Sequence, residues 1–254
     1  MTSPTITKPR GTKPRRTKRS GKQTALPFHR NGKRGGYRPG SGRKPLPAHK
    51  RAGVPHRNRA KLASRYPVHA TVRVQKGLPP LRNQRTRRVL MQCFAAACER
   101  FGFRLLHYSI QSTHLHLLCE AADDKALSRG MQGLLIRIAK ALNKLWERKG
   151  SVFAERYHAH ILRTPREVRN ALAYVLNNLW RHLRGAHPSR GSDSATGLDE
   201  FASGFWFDGW RKKPRFLLPE GFGPPVAEPH TWLLDKGWRR CGLLRVDEVP
   251  RGLR

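Results

Sequence analysis

The order of hydrophobic patterns along these 254 residues predicts an α+β fold on the ferredoxin-like plan, with one helix added at its C-terminal end. Apolar residues alternate with period 2 in four short stretches and recur with period 3.6 in three longer ones. They run strand, helix, strand, strand, helix, strand, helix, and the first six make a βαββαβ sandwich. A change of composition near residue 65 separates this body from a basic segment before it.

The first strand is Tyr66 to Val74, with Val68, Ala70, Val72 and Val74 on one face. Leu81 to Phe101 follows as a helix, its stripe formed by Val89, Leu90, Cys93, Phe94, Ala97, Cys98 and Phe101. Arg104 to Ile110 and His114 to Glu120 are two strands joined by the tight link 111–113. A second helix is expected from Lys125 to Arg148, with Leu127, Met131, Leu134, Leu135, Ile138, Leu142 and Leu145 in register. Val152 to Leu162 reads as the fourth strand. Thr164-Pro-Arg-Glu167 then opens the added helix as a capping box with proline at its first position, and the pattern continues to Leu183.

Charge bounds the partner. The chain carries 52 Lys and Arg against 16 Asp and Glu, a net charge of +36, which repels itself unless a polyanion is bound. Nucleic acid leads, an anionic membrane trails, and charge alone leaves a ribosome-type binding protein open. The first acidic residue is Glu99. Residues 1–64 are expected to be a disordered basic arm, since a run such as Lys8 to Arg19 has no apolar surface to bury. Gly35 to Pro45 has the composition of a minor-groove arm, although any tail rich in Gly, Arg and Pro produces it. Residues 65–184 form the expected body, 185–200 a linker and 201–254 an irregular appendage rich in Trp and Pro. The four cysteines show no metal-ligand spacing. No apolar run is long enough to span a membrane and the N-terminus has no hydrophobic leader, so a soluble cytoplasmic, nucleoid-associated protein is expected, with no membrane partner.

The chemistry-bearing residues sit on the third strand and the third helix. In Thr113-His-Leu-His-Leu-Leu-Cys119, period 2 puts His114 and His116 on one face and Leu115, Leu117 and Cys119 on the other. Two imidazoles so placed can share one metal ion; in a chain with 12 histidines they also arise as a surface or hydrogen-bonded pair. On the helix, Val168, Ala171, Leu172, Val175, Leu176, Leu179 and Leu183 form the apolar stripe. Tyr174 lies off its centre, flanked by Asn170, Asn178 and Arg181, with Asn178 four residues on and stacked beside it. A phenol beside an amide oxygen suits phosphoryl transfer, one attacking and the other helping to hold an ion.

Phe103-Arg-Leu-Leu-His-Tyr-Ser-Ile110 followed by Thr113-His-Leu-His-Leu-Leu118 resembles the HUH (His-hydrophobic-His) signature of the IS200-like, single-tyrosine transposases, and more closely their REP-associated tyrosine transposase branch. Val152-Phe-Ala-Glu-Arg-Tyr-His158 and Ala173-Tyr-Val-Leu-Asn-Asn178 are similar to the second half of that domain, so the resemblance spans residues 66–183. It implies a transposase-type endonuclease and strand transferase acting on single-stranded, hairpin-forming DNA through a 5′-phosphotyrosine link. Carried onto this chain, His114 and His116 are the metal pair, Asn178 the third ligand and Tyr174 the nucleophile on a catalytic helix. The implied ion is Mg²⁺ or Mn²⁺. IS200 members often have Gln at the third position and the REP-associated branch Asn. Where those relatives often read Asn-Asn-Pro, this chain has Asn177-Asn178-Leu179, and the helix is expected to run on to Leu183. The family includes dimers that exchange tyrosines and relatives that act as monomers, so monomer and homodimer both stay open.

Rivals are weighed on the same terms. His158-Ala-His160 is a second H-x-H, less fitted to bind metal because the resemblance puts the ion on the earlier strand. Tyr157 precedes the helix and has no amide four residues on, which leaves it core or base-stacking. Tyr108 falls off the histidine face, and Glu120 reads as an exposed carboxylate at a strand end. Arg137, Lys140 and Lys144 line one side of the second helix, and Arg181 and Arg184 lie on the nucleophile's helix; these five are the expected DNA contacts. A hairpin binder that does not cut, and a replication-initiating nickase, are the alternatives.

Overall fold

The computed structural model describes residues 60–178, 198–212, 214 and 223–248. Strands β1 (Val68–Arg73), β2 (Glu99–Arg100), β3 (Phe103–Ile110), β4 (His114–Ala121) and β5 (His158–Ile161) form one sheet in the order β2-β3-β4-β1-β5. Every pairing in it is antiparallel. Without the two-residue β2, this is the strand order of the ferredoxin-like plan, as expected. Helices α1 (Gln84–Ala95) and α2 (Asp124–Leu145) are the crossovers, and α3 (Pro165–Leu176) is the added helix.

The helices start where the sequence says they should. Asn83 caps α1 by accepting from Thr86 N–H, and Asp123 caps α2 by accepting from Ala126 N–H. Thr164 and Glu167 form the expected capping box with Pro165 in the first turn. One face of the sheet is sealed by α1 and α2. Val68, Ala70, Val72, Leu105, Leu115, Leu117 and Cys119 meet Leu90, Phe94, Met131, Leu134, Ile138 and Leu142 there. The opposite face receives α3 and the C-terminal segment. Leu106 and Leu118 pack with Val168, Leu172 and Leu176 and with Phe207, Trp210, Leu233 and Trp238.

Four expectations change. The fourth strand is shorter than 152–162: Val74 bridges Phe153, the chain bends at 154–155, and pairing resumes only at His158. Helix α3 ends at Leu176, where the Asn177 side chain donates to the carbonyls of Arg245 and Glu248 and ties the helix end to the C-terminal segment; residues 179–183, over which the helix is expected to run on, lie outside the described residues. Asn178 is helical again, so the single helix expected through Tyr174 and Asn178 is interrupted between them at Asn177. Residues 198–200, expected in the linker, belong to the packed body: Asp199 is buried and takes two hydrogen bonds from Arg82, at 2.9 Å each. The body also begins earlier than residue 65, since Leu62 is in the core. Residues 1–59 of the basic arm, the rest of the linker, and Arg181 and Arg184 lie outside the described residues.

The C-terminal segment, expected without regular structure, carries short helical turns at Ser203–Trp206, Trp232–Asp235 and Gly237–Cys241. It also closes the free edge of β3, where Ile110 N–H donates to Phe201 and Ala227 N–H to Leu105. No helix of the described residues is long and apolar enough to cross a membrane.

Candidate active site

Because β1 and β4 alternate, the residues that do not face the apolar core share the opposite face of the sheet, the one on which α3 packs. Register puts Thr71 opposite His116 and Arg73 opposite His114, while β5 sets His160 opposite His69 and His158 opposite Thr71. Five histidines thus share one face of three adjacent strands. The expected pair stands at its centre. His114 Nε2 and His116 Nε2 point at each other across 3.0 Å, with the rings nearly perpendicular at 87°.

Their outer nitrogens are engaged elsewhere. His114 Nδ1 lies 3.2 Å from Thr113 Oγ1. His116 Nδ1 lies 3.2 Å from His69 Nε2 and 3.3 Å from Thr71 Oγ1. The His69 ring stacks on His116 at 5.2 Å, and burial is the main reason its pKa falls to about 4, with positive charge on His160 and His158 adding to the effect. His116 is 3% exposed and His69 7%, so the pair is fixed from behind and open only on the His114 side.

Helix α3 brings Tyr174 to this cluster from above. Val168, Ala171, Leu172, Val175 and Leu176 are buried, whereas Tyr174 is half-buried beside them. Its ring meets His116 edge-on at 4.9 Å and His69 at 5.9 Å. Tyr174, His114 and His116 are therefore brought together within one chain.

Asn178 is 1% exposed, and neither its amide oxygen nor its nitrogen has a hydrogen-bond partner. A buried amide left so costs about 1–3 kcal/mol. The spacing of the imidazole pair fits a divalent ion. Two ligand atoms at neighbouring corners of an octahedron with bonds of about 2.1 Å lie about 3.0 Å apart, the spacing the two Nε2 atoms already have. By ligand type the two imidazoles favour Mn²⁺ or zinc over Mg²⁺, while an amide oxygen suits Mg²⁺ or Mn²⁺.

The rivals separate cleanly. Tyr108 and Tyr157 are buried in the core on the other face of the sheet. A bulge between Leu105 and His107 switches the phase of β3, which turns Tyr108 onto Phe94, at 4.6 Å, and His107 outward. Glu120 is corrected: it is 1% exposed rather than exposed, and it accepts from His230 N–H, Thr231 N–H, Thr231 Oγ1–H and Arg104. It fastens the C-terminal segment to the histidine face. His158 and His160 share that face, two strands from the central pair with β1 between.

Arg137, Lys140 and Lys144 are exposed on α2, on the side of the sheet away from the histidines. Lys140 and Lys144, with Arg148 and Lys149, line an open hollow of about 550 Å³. It lies at the same end of the sheet as His114, since Val152 accepts from Gln75 N–H and Thr113 from Val74 N–H. Sequence reasoning missed His69, Thr71 and Arg73. Their signal was present: Val68, Ala70 and Val72 facing the core oblige the residues between them to face the other way.

Residues 64–178 match the model of the family described as "Transposase IS200 like". No curated protein matches the chain. Among solved structures it is similar to a REP-associated tyrosine transposase bound to a REP hairpin, at 15% identity and a TM-score of 0.41, over 51% of this chain and 74% of that one.

Proposed function

We propose that this chain, whose residues 64–178 match the IS200-like transposase model, acts as such a transposase, cutting single-stranded DNA and rejoining it with Tyr174 as the nucleophile. The observation that carries this reading is the meeting of Tyr174 and His116 at 4.9 Å in one chain, beside the converging Nε2 atoms of His114 and His116.

In the first step Tyr174 Oη attacks the scissile phosphorus. A Tyr174 Oη–P bond forms on the 5′ side, the bond from phosphorus to the 3′-oxygen breaks, and that oxygen leaves as a hydroxyl after taking a proton. A free phenol titrates near 10, so the attacking oxygen sheds its proton as the bond forms. The phosphotyrosine ester keeps the energy of the broken bond. A second 3′-hydroxyl can then attack the same phosphorus and release Tyr174 without ATP. A divalent ion, Mg²⁺ or Mn²⁺, held by His114, His116 and Asn178, would draw charge from the scissile phosphate and stabilise the departing oxygen. Thr113, His69 and Thr71 hold the two imidazoles in orientation, and α3 fixes the approach of the phenol.

Hairpin-forming single strands are the substrate expected from the motif resemblance. Arg73, exposed across the ladder from His114, is placed to meet a phosphate beside the site. The hollow with Lys140 and Lys144 offers a continuation of that track around the sheet end, with Arg137 further along α2. Arg181 and Arg184 join this proposal on sequence grounds. Assembly of the centre within one chain supports a monomer over a homodimer that exchanges tyrosines, acting in the cytoplasm on nucleoid DNA.

The test uses end-labelled hairpin DNA from repeats flanking the gene, with Mg²⁺ or Mn²⁺. Wild type is expected to yield a denaturant-resistant protein–DNA adduct, and Tyr174→Phe none. Tight hairpin binding without an adduct in either ion would favour a binder that does not cut.

A further inference from the structure

Both imidazoles of the central pair turn one nitrogen inward and one outward, but their outward partners differ. Thr113 is the immediate chain neighbour of His114 and is exposed. His69 comes from another strand, 47 residues away, and is buried. A histidine that binds metal through one nitrogen must carry its proton on the other, and that proton needs an acceptor fixed in place. For His116 the inward atom is Nε2, facing His114, so the proton belongs on Nδ1. Two acceptors stand there: His69 Nε2 at 3.2 Å and Thr71 Oγ1 at 3.3 Å.

We infer that His69 is a positioning residue of this centre, accepting the Nδ1 proton of His116 and thereby aiming His116 Nε2 at the metal. The inference rests on the proposed metal-dependent reading. Three features distinguish His69 from an ordinary core histidine. Its Nε2 is directed at the outward Nδ1 of a metal-ligand candidate, His116, rather than at backbone. Its ring is stacked on His116 at an interplanar angle of 26°, which holds the ligand ring against tilting. Its other flank meets the Tyr174 ring at 5.9 Å and 74°. One buried side chain on β1 thus sets the orientation of a metal ligand on β4 and borders the nucleophile from α3. Because β1 is the central neighbour of both β4 and β5, its backbone is held on two sides, and this makes it a rigid base for such a role.

The test compares His69→Leu, which fills the space without an acceptor, with His69→Gln, whose amide can place an oxygen near the position of Nε2. Mn²⁺ binding is read from the free-ion signal in electron paramagnetic resonance, on full-length protein without DNA, with folding checked by circular dichroism. His114→Ala serves as the reference for loss of a ligand. His69→Leu is expected to weaken Mn²⁺ binding by about 10–100-fold, with His69→Gln within about threefold of wild type. Hairpin affinity in EDTA should be the same in all. Wild-type Mn²⁺ affinity in folded His69→Leu, while His114→Ala has lost it, would overturn the inference and leave the metal reading standing. Equal losses in Leu and Gln would also overturn it. Unchanged affinity in His114→Ala would overturn the metal reading and the inference together.

Discussion

The two faces of the sheet are built by the same strands and differ in almost everything else. On the α1/α2 face, Val68, Ala70, Val72, Leu115 and Leu117 meet helix stripes, and the contacts are apolar throughout. On the α3 face, His69, Thr71, His114, His116 and Glu120 mix with leucines, and closure depends on a C-terminal segment more than 100 residues away in sequence. The first face makes the fold. The second spends stability to keep imidazoles, a carboxylate and an unpartnered amide at fixed places, as functional surfaces do.

Neighbouring residues on β4 sharpen this contrast most. Leu117→Ala is expected to cost about 2–5 kcal/mol of folding stability, with cleavage per folded molecule unchanged. His116→Ala should cost less stability, yet lower the cleavage rate by several kcal/mol of activation free energy, on the order of 10³-fold. Thermal melts and single-turnover cleavage on both variants check this. Similar behaviour in the two would mean that the faces do not divide the labour.

Glu120→Gln attacks the fastening of the second face. The carboxylate takes backbone and hydroxyl donors from residues 230–231 and the Arg104 guanidinium, all while buried. Disrupting such an array costs about 3 kcal/mol or more. Limited proteolysis within 223–248 should speed up on the order of 100-fold, with the α1/α2 side still protected from hydrogen exchange.

Acid should also loosen the histidine face. His107 is buried between Ser203, 3.2 Å away, and the edge-packed Phe207, and burial lowers its pKa to about 4. Its folded pKa is below the unfolded value near 6.5, so its contribution is intact above pH 6.5. Between 6.5 and 4 the unfolded chain takes up a proton that the folded chain refuses. Stability then falls by roughly 3 kcal/mol by pH 4. His69, lowered in the same way, adds a parallel loss. Melts in metal-free buffer should show a pH slope in this window that His107→Gln reduces by about half.

The same contrast governs what could be read from the sequence. Periodicity marked β1, β3, β4, α1 and α2 because each presents an apolar face to a neighbour close in the fold's plan. Capping residues Asp123 and Thr164 marked helix starts by local hydrogen bonds. The HUH pair and Tyr174 were visible as motifs, and alternation alone would have added His69. What stayed hidden depends on distant partners. Asn177 ends α3 because its amide captures carbonyls at 245 and 248, and nothing in the local pattern announces them. Glu120 looked like a surface carboxylate because its donors sit at 230 and 231. The bulge in β3 left no residue signature, although it decides that Tyr108 faces the core and His107 the other side.

The most direct test of Tyr174 as nucleophile is to trap the adduct with hairpin DNA, digest it with nuclease and trypsin, and locate the residual nucleotide by mass spectrometry. The predicted result is a nucleotide-bearing peptide spanning 170–181, in which Tyr174 is the sole tyrosine. A nucleotide on the peptide spanning 157–163, which carries Tyr157, would contradict the account and move the chemistry to the other face of the sheet.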